Sequence, residues 1–542
     1  MDYKERYKLW LKNVKDETLL KELKSMNEKE IETAFFKDIE FGTAGMRGTL
    51  GAGSNCMNKY NVAKVTKAIC EYLKSHKNPS IAVSYDSRNM SFEFAELVAK
   101  ICAYNGIKVY LAQTMMPTPF LSYMVRFYRT DMGVMITASH NPKEYNGYKV
   151  YGNDGCQLLD EPSLKLMKLA QTVNPFSVEE CDFEKACENG LVVFTDNKIL
   201  DSYTKEVLKQ SVCDAKDLKV VYTALNGTGI KTLPQTLERV GVKVILNDVQ
   251  CKADGNFTTC PYPNPERVDV YESSNKIALE TRADLIIASD PDADRVGVNV
   301  VKNNEIIHLT GNEVGVLLTD FLLANKKYKS GVVVKSIVST SLVEKVAKSY
   351  GAEVHNVLTG FKYIGEYIAK ILKDKSHEFV LGFEESLGYL VGTYARDKDA
   401  TVASMLICEM ASKCKSEGKT LVDKLGEIYA KFGLYEHSVS RFDFPGEEGF
   451  VKMEKILNDL RNNTPKSFGT IKVTKVLDYE SGVGDLPKAN VMSFELEGGS
   501  EVMIRPSGTE PLIKTYVTLS KTKEENAKNK VIIEKAIQKL MK

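Results

Sequence analysis

Short β-branched runs recur along the chain as far as about His437. Each is stopped by Gly, Asn, Asp or Ser, and helical-period stretches lie between many of them. The runs are Ile81–Val83, Ile107–Leu111, Gly133–Thr137, Val220–Thr223, Val242–Leu246, Leu285–Ala288, Val332–Val334 and Phe379–Leu381. Amphipathic stretches such as Phe92–Tyr104, Ser341–Tyr350 and Thr401–Glu417 separate them. Strand then helix, repeated, builds α/β units on mainly parallel mixed sheets. The pattern restarts near Lys219 and again near Gly331, which predicts three consecutive α/β domains. Beyond His437 the texture changes. Ile471–Asp478, Val491–Leu496, Glu501–Ile504 and Ile513–Leu519 read as antiparallel strands, and Glu524–Met541 as a closing helix. This predicts a smaller C-terminal α+β domain. A chain of 542 residues is too long for one core, and the expected division is 1–205, 206–311, 312–436 and 437–542. No fixed-period repeat or low-complexity linker interrupts it.

Lys and Arg number 73 against 72 Asp and Glu, a formal charge of +1. That balance argues against a broad nucleic-acid or anionic-membrane surface and leaves room for a small basic pocket. Eleven cysteines lie scattered without a C-x-x-C pair, which reads as reduced, mostly buried thiols in a cytoplasmic protein. Met1 to Met26 is charged throughout and lacks the apolar centre of a signal peptide. It reads instead as an amphipathic helix around Trp10. No stretch approaches the ~20 apolar residues of a membrane span; the longest, near Val314–Ala324, carries Asp320 in its middle. No obligate protein partner is inferred.

Polar clusters sit where apolar runs stop, and in open α/β sheets ligands bind beyond the C-terminal ends of strands. Asp290-x-Asp292-x-Asp294 puts three carboxylates in five residues, directly after Leu285–Ala288. Such acids repel unless a cation sits among them, and hard oxygen ligands suit Mg²⁺ or Ca²⁺. An EF-hand is excluded, because Arg295 stands where that loop needs Gly and Val301 where it needs Glu. A D-x-D phosphatase nucleophile remains an alternative. Ser139-His140-Asn141-Pro142 follows another run. A serine there is a candidate nucleophile, but neighbouring Ser and His make no triad and no partner acid is assignable. Taken alone, the segment reads better as a plain turn in which His140 bonds the backbone. Arg505-Pro506-Ser507-Gly508-Thr509-Glu510 offers an arginine fork, hydroxyls and backbone N–H groups, a natural phosphate cradle. Gly42–Gly48, ending in Arg47-Gly48, is Gly-rich but lacks the Walker lysine and the Rossmann spacing.

Together these segments resemble the α-D-phosphohexomutases, the phosphoglucomutase and phosphomannomutase superfamily. The carriers are T-A-S-H-N-P-K-E-Y-N-G-Y-K around Ser139, D-P-D-A-D-R from Asp290, G-F-E-E-S-L-G from Gly382 and R-P-S-G-T-E-P from Arg505. They stand in the family's order, with F-G-T-A-G-M-R-G near the start, and span Phe41 to about Tyr516. The resemblance implies four domains, each turning one loop into a central cleft. It implies a phosphoryl group on Ser139 and Mg²⁺ held by that phosphoserine with Asp290, Asp292 and Asp294. The implied reaction interconverts glucose 1-phosphate and glucose 6-phosphate, with glucose 1,6-bisphosphate as intermediate and activator. Arg47, Lys149 and His140 are then expected beside Ser139, and Lys398 as a general acid–base. Arg295 is expected to neutralise phosphate charge. Glu384 and Ser386 are expected on sugar hydroxyls, Thr359, Gly360 and Lys362 on a second substrate loop, and Arg505, Ser507, Gly508 and Thr509 on phosphate. The implied partner is a small phosphosugar. Ala400 stands where the glucose branch has Gly, and the F-G-T-A-G opening is shared with the branch containing phosphopentomutases. Pentose and mannose phosphates and a glucose 1,6-bisphosphate synthase activity therefore stay open, as does a plain phosphatase; a non-catalytic phosphosugar-binding protein is disfavoured by the intact Ser139, metal acids and Arg505.

Overall fold

The computed structural model describes residues 1–42, 45–444, 446–507 and 512–542. Three α/β sheets follow one another, and an antiparallel sheet closes the chain. In the first, Met132–Ile136, Ser80–Tyr85, Lys108–Leu111 and Val192–Phe194 run parallel as neighbours. In the second, Leu285–Ser289, Lys219–Thr223 and Lys243–Leu246 do so. In the third, Glu353–Val357, Gly331–Ser336 and Glu378–Glu384 do so. Every residue of Leu285–Ser289 is buried. Leu285 and Ile287 face the large core shared by the three α/β sheets, while Ile286 and Ala288 face a second cluster with Tyr271. A strand covered on both faces reads as an unbroken apolar run rather than an alternation, which is why these segments stand out in the sequence.

The sheets are mixed, and the antiparallel part follows a repeated plan. The buried strand Met132–Ile136 returns as Tyr145–Gly152, Leu285–Ser289 returns as Val296–Lys302, and Glu378–Glu384 returns as Gly388–Leu390. Each hairpin holds one of the polar clusters at its tip. The returning strands were not among the expected runs. Their side chains include Asn146, Lys149 and Asn299, which break the apolar signature although all three are buried.

The last sheet runs Glu436–Asp443, Leu512–Leu519, Glu501–Pro506, Met492–Leu496, Ile471–Asp478, Ser467–Phe468, with antiparallel neighbours. Helix Lys523–Leu540 covers it and buries Ile533 and Ile537. This domain has its own core around Phe468, Phe494 and Val502. It meets the third sheet through a small apolar contact, Ile337, Val338 and Leu358 against Tyr479, Met503 and Tyr516.

The N-terminal segment forms helices Tyr3–Asn13, Glu17–Ser25 and Glu28–Phe35. Trp10 packs edge-on against Phe35, Tyr60 and Phe176, with centroids 5.8, 5.7 and 5.4 Å away. All eleven cysteines are free, eight of them buried. No helix among the described residues is long and apolar enough to cross a membrane.

Strand Tyr145–Gly152 is wedged between Met132–Ile136 and Gly45–Thr49. A Cβ on Gly147 would lie 2.5 Å from the Thr137 carbonyl oxygen and 2.9 Å from that of Met46. Both are main-chain atoms of neighbouring segments and neither has room to retreat. Gly147→Ala is expected to destabilise the first domain by about 1–3 kcal/mol, read as a lowered midpoint in thermal or urea unfolding. An unchanged midpoint would show that this sheet tolerates spreading.

Candidate active site

Ser139 sits at the tip of the first hairpin with φ of 53°, a left-handed conformation uncommon for a residue other than glycine. Its N–H donates to Thr137 Oγ1 at 2.8 Å. Its Oγ donates to Asp290 Oδ2 at 2.7 Å and lies 3.3 Å from His140 Nδ1. The first sheet's loop thus touches the second sheet's loop at the proposed nucleophile. Arg47, on the strand beside the return strand, donates to Asn141 Oδ1 at 3.1 Å.

Asp290, Asp292 and Asp294 converge: one ligand oxygen from each lies within 4.8 Å of the others, and all three residues are buried. Asp290 Oδ1 accepts the main-chain N–H groups of Asp294 (3.1 Å) and Arg295 (3.0 Å), which folds the loop around its first carboxylate. Thr118 Oγ1 and Lys149 Nζ donate to Asp292 Oδ2 at 2.7 and 2.8 Å. Asp292 Oδ1 and Asp294 Oδ1 are buried without a hydrogen-bond partner. Unsatisfied buried carboxylate oxygens are costly, and an all-oxygen donor set suits a hard divalent cation. The residues therefore fit a hard divalent metal ion, and the orphaned oxygens are the observation that says so.

Among the described residues, three cations form ion pairs with the acids. Lys149 comes from the first return strand, Arg295 from the aspartate loop, and Lys398 from the segment before helix Ala400–Ser416. Lys398 Nζ lies 3.0 Å from both Asp294 Oδ2 and Asp397 Oδ1, and Lys149 Nζ lies 3.4 Å from Asp294 Oδ2. Burial and the neighbouring Asp292 and Asp294 push the Asp290 carboxyl well up. Burial acts the same way on Asp294, but Lys398, Lys149 and Arg295 outweigh it and hold that carboxyl far below its usual range. Burial disfavours the charged forms of Lys149 and Lys398; their acidic neighbours win, so both ammonium groups are raised and stay protonated. His140 goes the other way: burial, Arg295 and Arg47 all lower it, so it is neutral near pH 7.

The aspartate loop is gripped through its main chain by three different segments. Thr228 donates from N and Oγ1 to the Pro291 carbonyl at 2.7 and 2.9 Å. Thr118 N donates to the Asp292 carbonyl at 2.8 Å, and Ala400 N to that of Ala293 at 3.2 Å. Gly227 permits the first of these contacts, since a Cβ there would fall 2.3 Å from Pro291 Cα. The third hairpin docks through a bridge between Arg295 and Gly388 and through Val296 N donating to the Leu387 carbonyl at 3.0 Å.

Glu384 ends the strand Glu378–Glu384 and accepts Gly360 N–H at 2.8 Å, linking two of the expected sugar-facing segments. Thr359 Oγ1 is buried without a partner. Ser386 is half-buried at the hairpin tip. Lys362, expected on substrate, has its Nζ 2.5 Å from Asp160 Oδ1, and Tyr363 donates to Asp160 Oδ2 at 2.9 Å. It ties the third domain to the first in this structure. Arg505 lies opposite Lys514 on the last sheet, and Lys514 adds to the positive field at His140. Ser507 N donates to the Leu512 carbonyl at 2.8 Å, closing the loop base. Gly508 and Thr509 lie outside the described residues.

The structure also brings in residues that the sequence reading missed. Thr118 and Asp160 sit at the starts of helices with no motif around them, so nothing marks them in the chain. Asp86 and Arg88 did carry a signal. Asp86-Ser87-Arg88 is a polar cluster directly after strand Ser80–Tyr85, the same pattern that exposed the other loops.

Comparison with known proteins agrees with this arrangement. Profiles of the phosphoglucomutase/phosphomannomutase alpha/beta/alpha domains I, II and III match residues 38–175, 201–303 and 310–432 in that order. A phosphoglucomutase from Staphylococcus haemolyticus is 37% identical over 528 residues, covering 94% of this chain and 96% of the relative. One from Staphylococcus aureus is 34% identical over 527 residues, covering 94% and 95%. Among solved structures, Paramecium parafusin, a phosphoglucomutase in an open form, superposes with a TM-score of 0.69 at 17% identity over 93% of this chain and 95% of the other. A phosphoglucomutase/phosphomannomutase family protein from Burkholderia thailandensis gives 0.69 at 16% identity, covering 92% and 97%. Three domain profiles in series, together with relatives above 30% identity along nearly the whole length, place this chain in the phosphoglucomutase/phosphomannomutase family.

Proposed function

We propose that this protein is a phosphoglucomutase, interconverting glucose 1-phosphate and glucose 6-phosphate through a phosphoserine at Ser139 and a glucose 1,6-bisphosphate intermediate. The observation that carries the reading is Ser139 Oγ donating at 2.7 Å to an acidic cluster that still has two unpaired buried oxygens. In the first half-reaction the 6-hydroxyl oxygen of glucose 1-phosphate attacks the phosphorus. Its bond to Ser139 Oγ breaks, and Oγ regains a proton as the sugar hydroxyl gives up its own, so no net proton is released. The bisphosphate then turns around, and Ser139 Oγ takes the 1-phosphoryl group, releasing glucose 6-phosphate.

Charge and position are the main resources for such a transfer. Three buried acids face Lys149, Lys398 and Arg295, so much of their charge is offset before anything binds. A phosphoserine dianion and a divalent cation leave that balance unchanged. Bound by Asp290, Asp292 and Asp294, Mg²⁺ supplies positive charge against the phosphoryl oxygens. Lys398, kept protonated by Asp294 and Asp397, serves as proton donor and charge neutraliser. Neutral His140, its Nδ1 3.3 Å from Ser139 Oγ, donates a hydrogen bond to that oxygen without adding charge, and Arg47 closes the loop from the other side. Glu384 and Ser386 read adjacent sugar hydroxyls. Arg505 and Ser507, with Gly508 and Thr509, anchor the phosphate that is not being transferred. Lys362 reaches substrate on leaving Asp160. Eleven free thiols fit a reducing, cytoplasmic setting.

Ser139→Ala is expected to fold normally, to take up no phosphate from glucose 1,6-bisphosphate and to lose isomerisation down to background. Normal turnover by that variant would remove the phosphoserine step. A chelator is expected to stop the wild-type reaction and Mg²⁺ to restore it. Asp292→Asn should raise the Mg²⁺ needed for half-activation by about 10–100-fold or more; full activity in excess chelator would overturn the metal assignment.

Charged hydrogen bonds are worth about 1.5–3 kcal/mol each, so Arg505→Ala should lower kcat/KM for glucose 1-phosphate roughly tenfold to more than a hundredfold. With wild-type protein, glucose 1-phosphate should outrank ribose 1-phosphate, with mannose 1-phosphate a poorer substrate. Glucose and mannose share the 3- and 4-hydroxyl configuration that Glu384 and Ser386 would read, whereas a furanose leaves those groups unpaired. A higher kcat/KM on ribose or deoxyribose 1-phosphate would convert the reading to a phosphopentomutase.

A further inference from the structure

One buried ion pair lies directly behind the serine loop. Arg88 is buried, its Nε 3.2 Å from Asp86 Oδ2, and both side chains are fully withdrawn from solvent. The guanidinium spends its remaining donors on one target. Nη1 donates to the carbonyl oxygens of Pro142 (2.8 Å) and Tyr145 (3.1 Å). Nη2 donates to those of Asn141 (2.5 Å) and of Ser139 itself. Four carbonyls within seven residues thus converge on a single side chain. Phe257 from the second domain covers it, with its ring centroid 4.8 Å away.

Asp86 completes the frame from the other side. Its Oδ2 accepts Thr137 Oγ1–H at 2.6 Å, and Thr137 Oγ1 accepts the N–H of Ser139 at 2.8 Å. Its Oδ1 accepts Arg88 N–H at 3.0 Å and Ser91 Oγ–H at 2.7 Å, which fixes the carboxylate plane. Both main-chain flanks of Ser139 are therefore tied to the same ion pair, the N–H through Thr137 and the carbonyl through Arg88.

We propose that Asp86, Arg88 and Thr137 form a cradle that holds Ser139 in its left-handed conformation with Oγ aimed at Asp290, making Arg88 a positioning residue for phosphoryl transfer. The inference rests on the phosphoserine reading above. A left-handed non-glycine residue costs about 1–2 kcal/mol and persists only where the surroundings over-determine it. Here the surroundings are specific hydrogen bonds rather than bulk packing. A buried ion pair is a weak source of net stability, since apolar replacements of similar size are often neutral. What the pair supplies is direction. A planar fork with several fixed donors holds several carbonyls at once, whereas lysine presents a compact point charge on a flexible stem. Arg88 lies behind the loop and hydrogen-bonds to none of the three aspartates, although Asp290 and Asp292 lie within its field; Arg88→Lys keeps that charge, so what it tests is the orientation of Ser139.

Thr137→Val keeps the shape and removes the hydroxyl hub, and it disturbs the fold less than a change at Arg88. It is expected to lower kcat about 10–100-fold, the size of effect that a 1 Å misplacement of a reacting group produces. KM for glucose 1-phosphate should stay within about threefold, because the groups that bind the sugar and distal phosphate are untouched. Thr137→Ser should recover most of kcat. Arg88→Lys should show the same split between kcat and KM, and guanidinium added to Arg88→Ala should raise kcat where equal sodium chloride does not. Intact-mass measurement of Ser139 phosphate after incubation with glucose 1,6-bisphosphate separates the two claims. Phosphorylated wild type with slow, folded variants of unchanged KM supports the cradle. Phosphorylated wild type with Thr137→Val and Arg88→Lys turning over normally, or with KM rising as far as kcat falls, overturns the cradle alone. A wild type that never carries phosphate on Ser139 removes the phosphoserine reading and the cradle with it.

Discussion

The structure is organised around three buried carboxylates that no single domain neutralises. Asp290, Asp292 and Asp294 stand at the end of one strand of the second sheet, close enough for like charges to repel strongly. Their compensating cations arrive from elsewhere: Lys149 from the first sheet, Lys398 from the third domain, and only Arg295 from the same loop. Burying such a cluster is favourable only when the partners are in place and hydrogen-bonded. The first three domains are therefore held in register by electrostatics at the site as well as by the apolar core they share. The loop's carbonyls repeat the plan, accepting N–H groups from Thr228, Thr118 and Ala400 in turn.

The same local device delivers each of these loops. A strand buried on both faces ends in a polar tip and returns antiparallel beside itself. The tip is short, so its residues cannot all adopt ordinary backbone angles. Ser139, Ala293 and Leu387 each have positive φ, one in every hairpin tip. Holding such conformations needs surrounding hydrogen bonds, and the tips supply them by bonding to one another across domain boundaries. The fourth domain takes a smaller part in this. It keeps its own core and touches the third through a modest apolar patch.

Much of the fold was legible in the chain. The parallel central strands are unbroken apolar runs because both faces are covered, and the helices between them carry clean periodicity. The return strands were not legible. Tyr145–Gly152 and Val296–Lys302 alternate apolar residues with asparagine and lysine, and nothing local says that Asn146 and Asn299 are buried against partners within their own domains or that Lys149 pairs with Asp292 after the second sheet. Lys362 illustrates the limit at the site. Its motif marks it as a substrate ligand, yet its ammonium group is seated on Asp160, two hundred residues earlier and without a motif of its own.

By itself the sequence determined the chemistry on offer: a serine at a strand end, three acids in five residues, an arginine beside serine and threonine, and the order in which they occur. Spacing along the chain sets which groups share a loop, and a loop of five residues has little freedom to separate them. The tertiary structure alone decided which loops meet. That Ser139 donates to Asp290, that lysines from two other domains quiet the acids, and that Arg88 sits behind Ser139 are contacts spanning from about fifty to more than a hundred and fifty residues. Such contacts depend on how whole sheets pack, and packing is set by the summed burial of many apolar side chains rather than by any local signal.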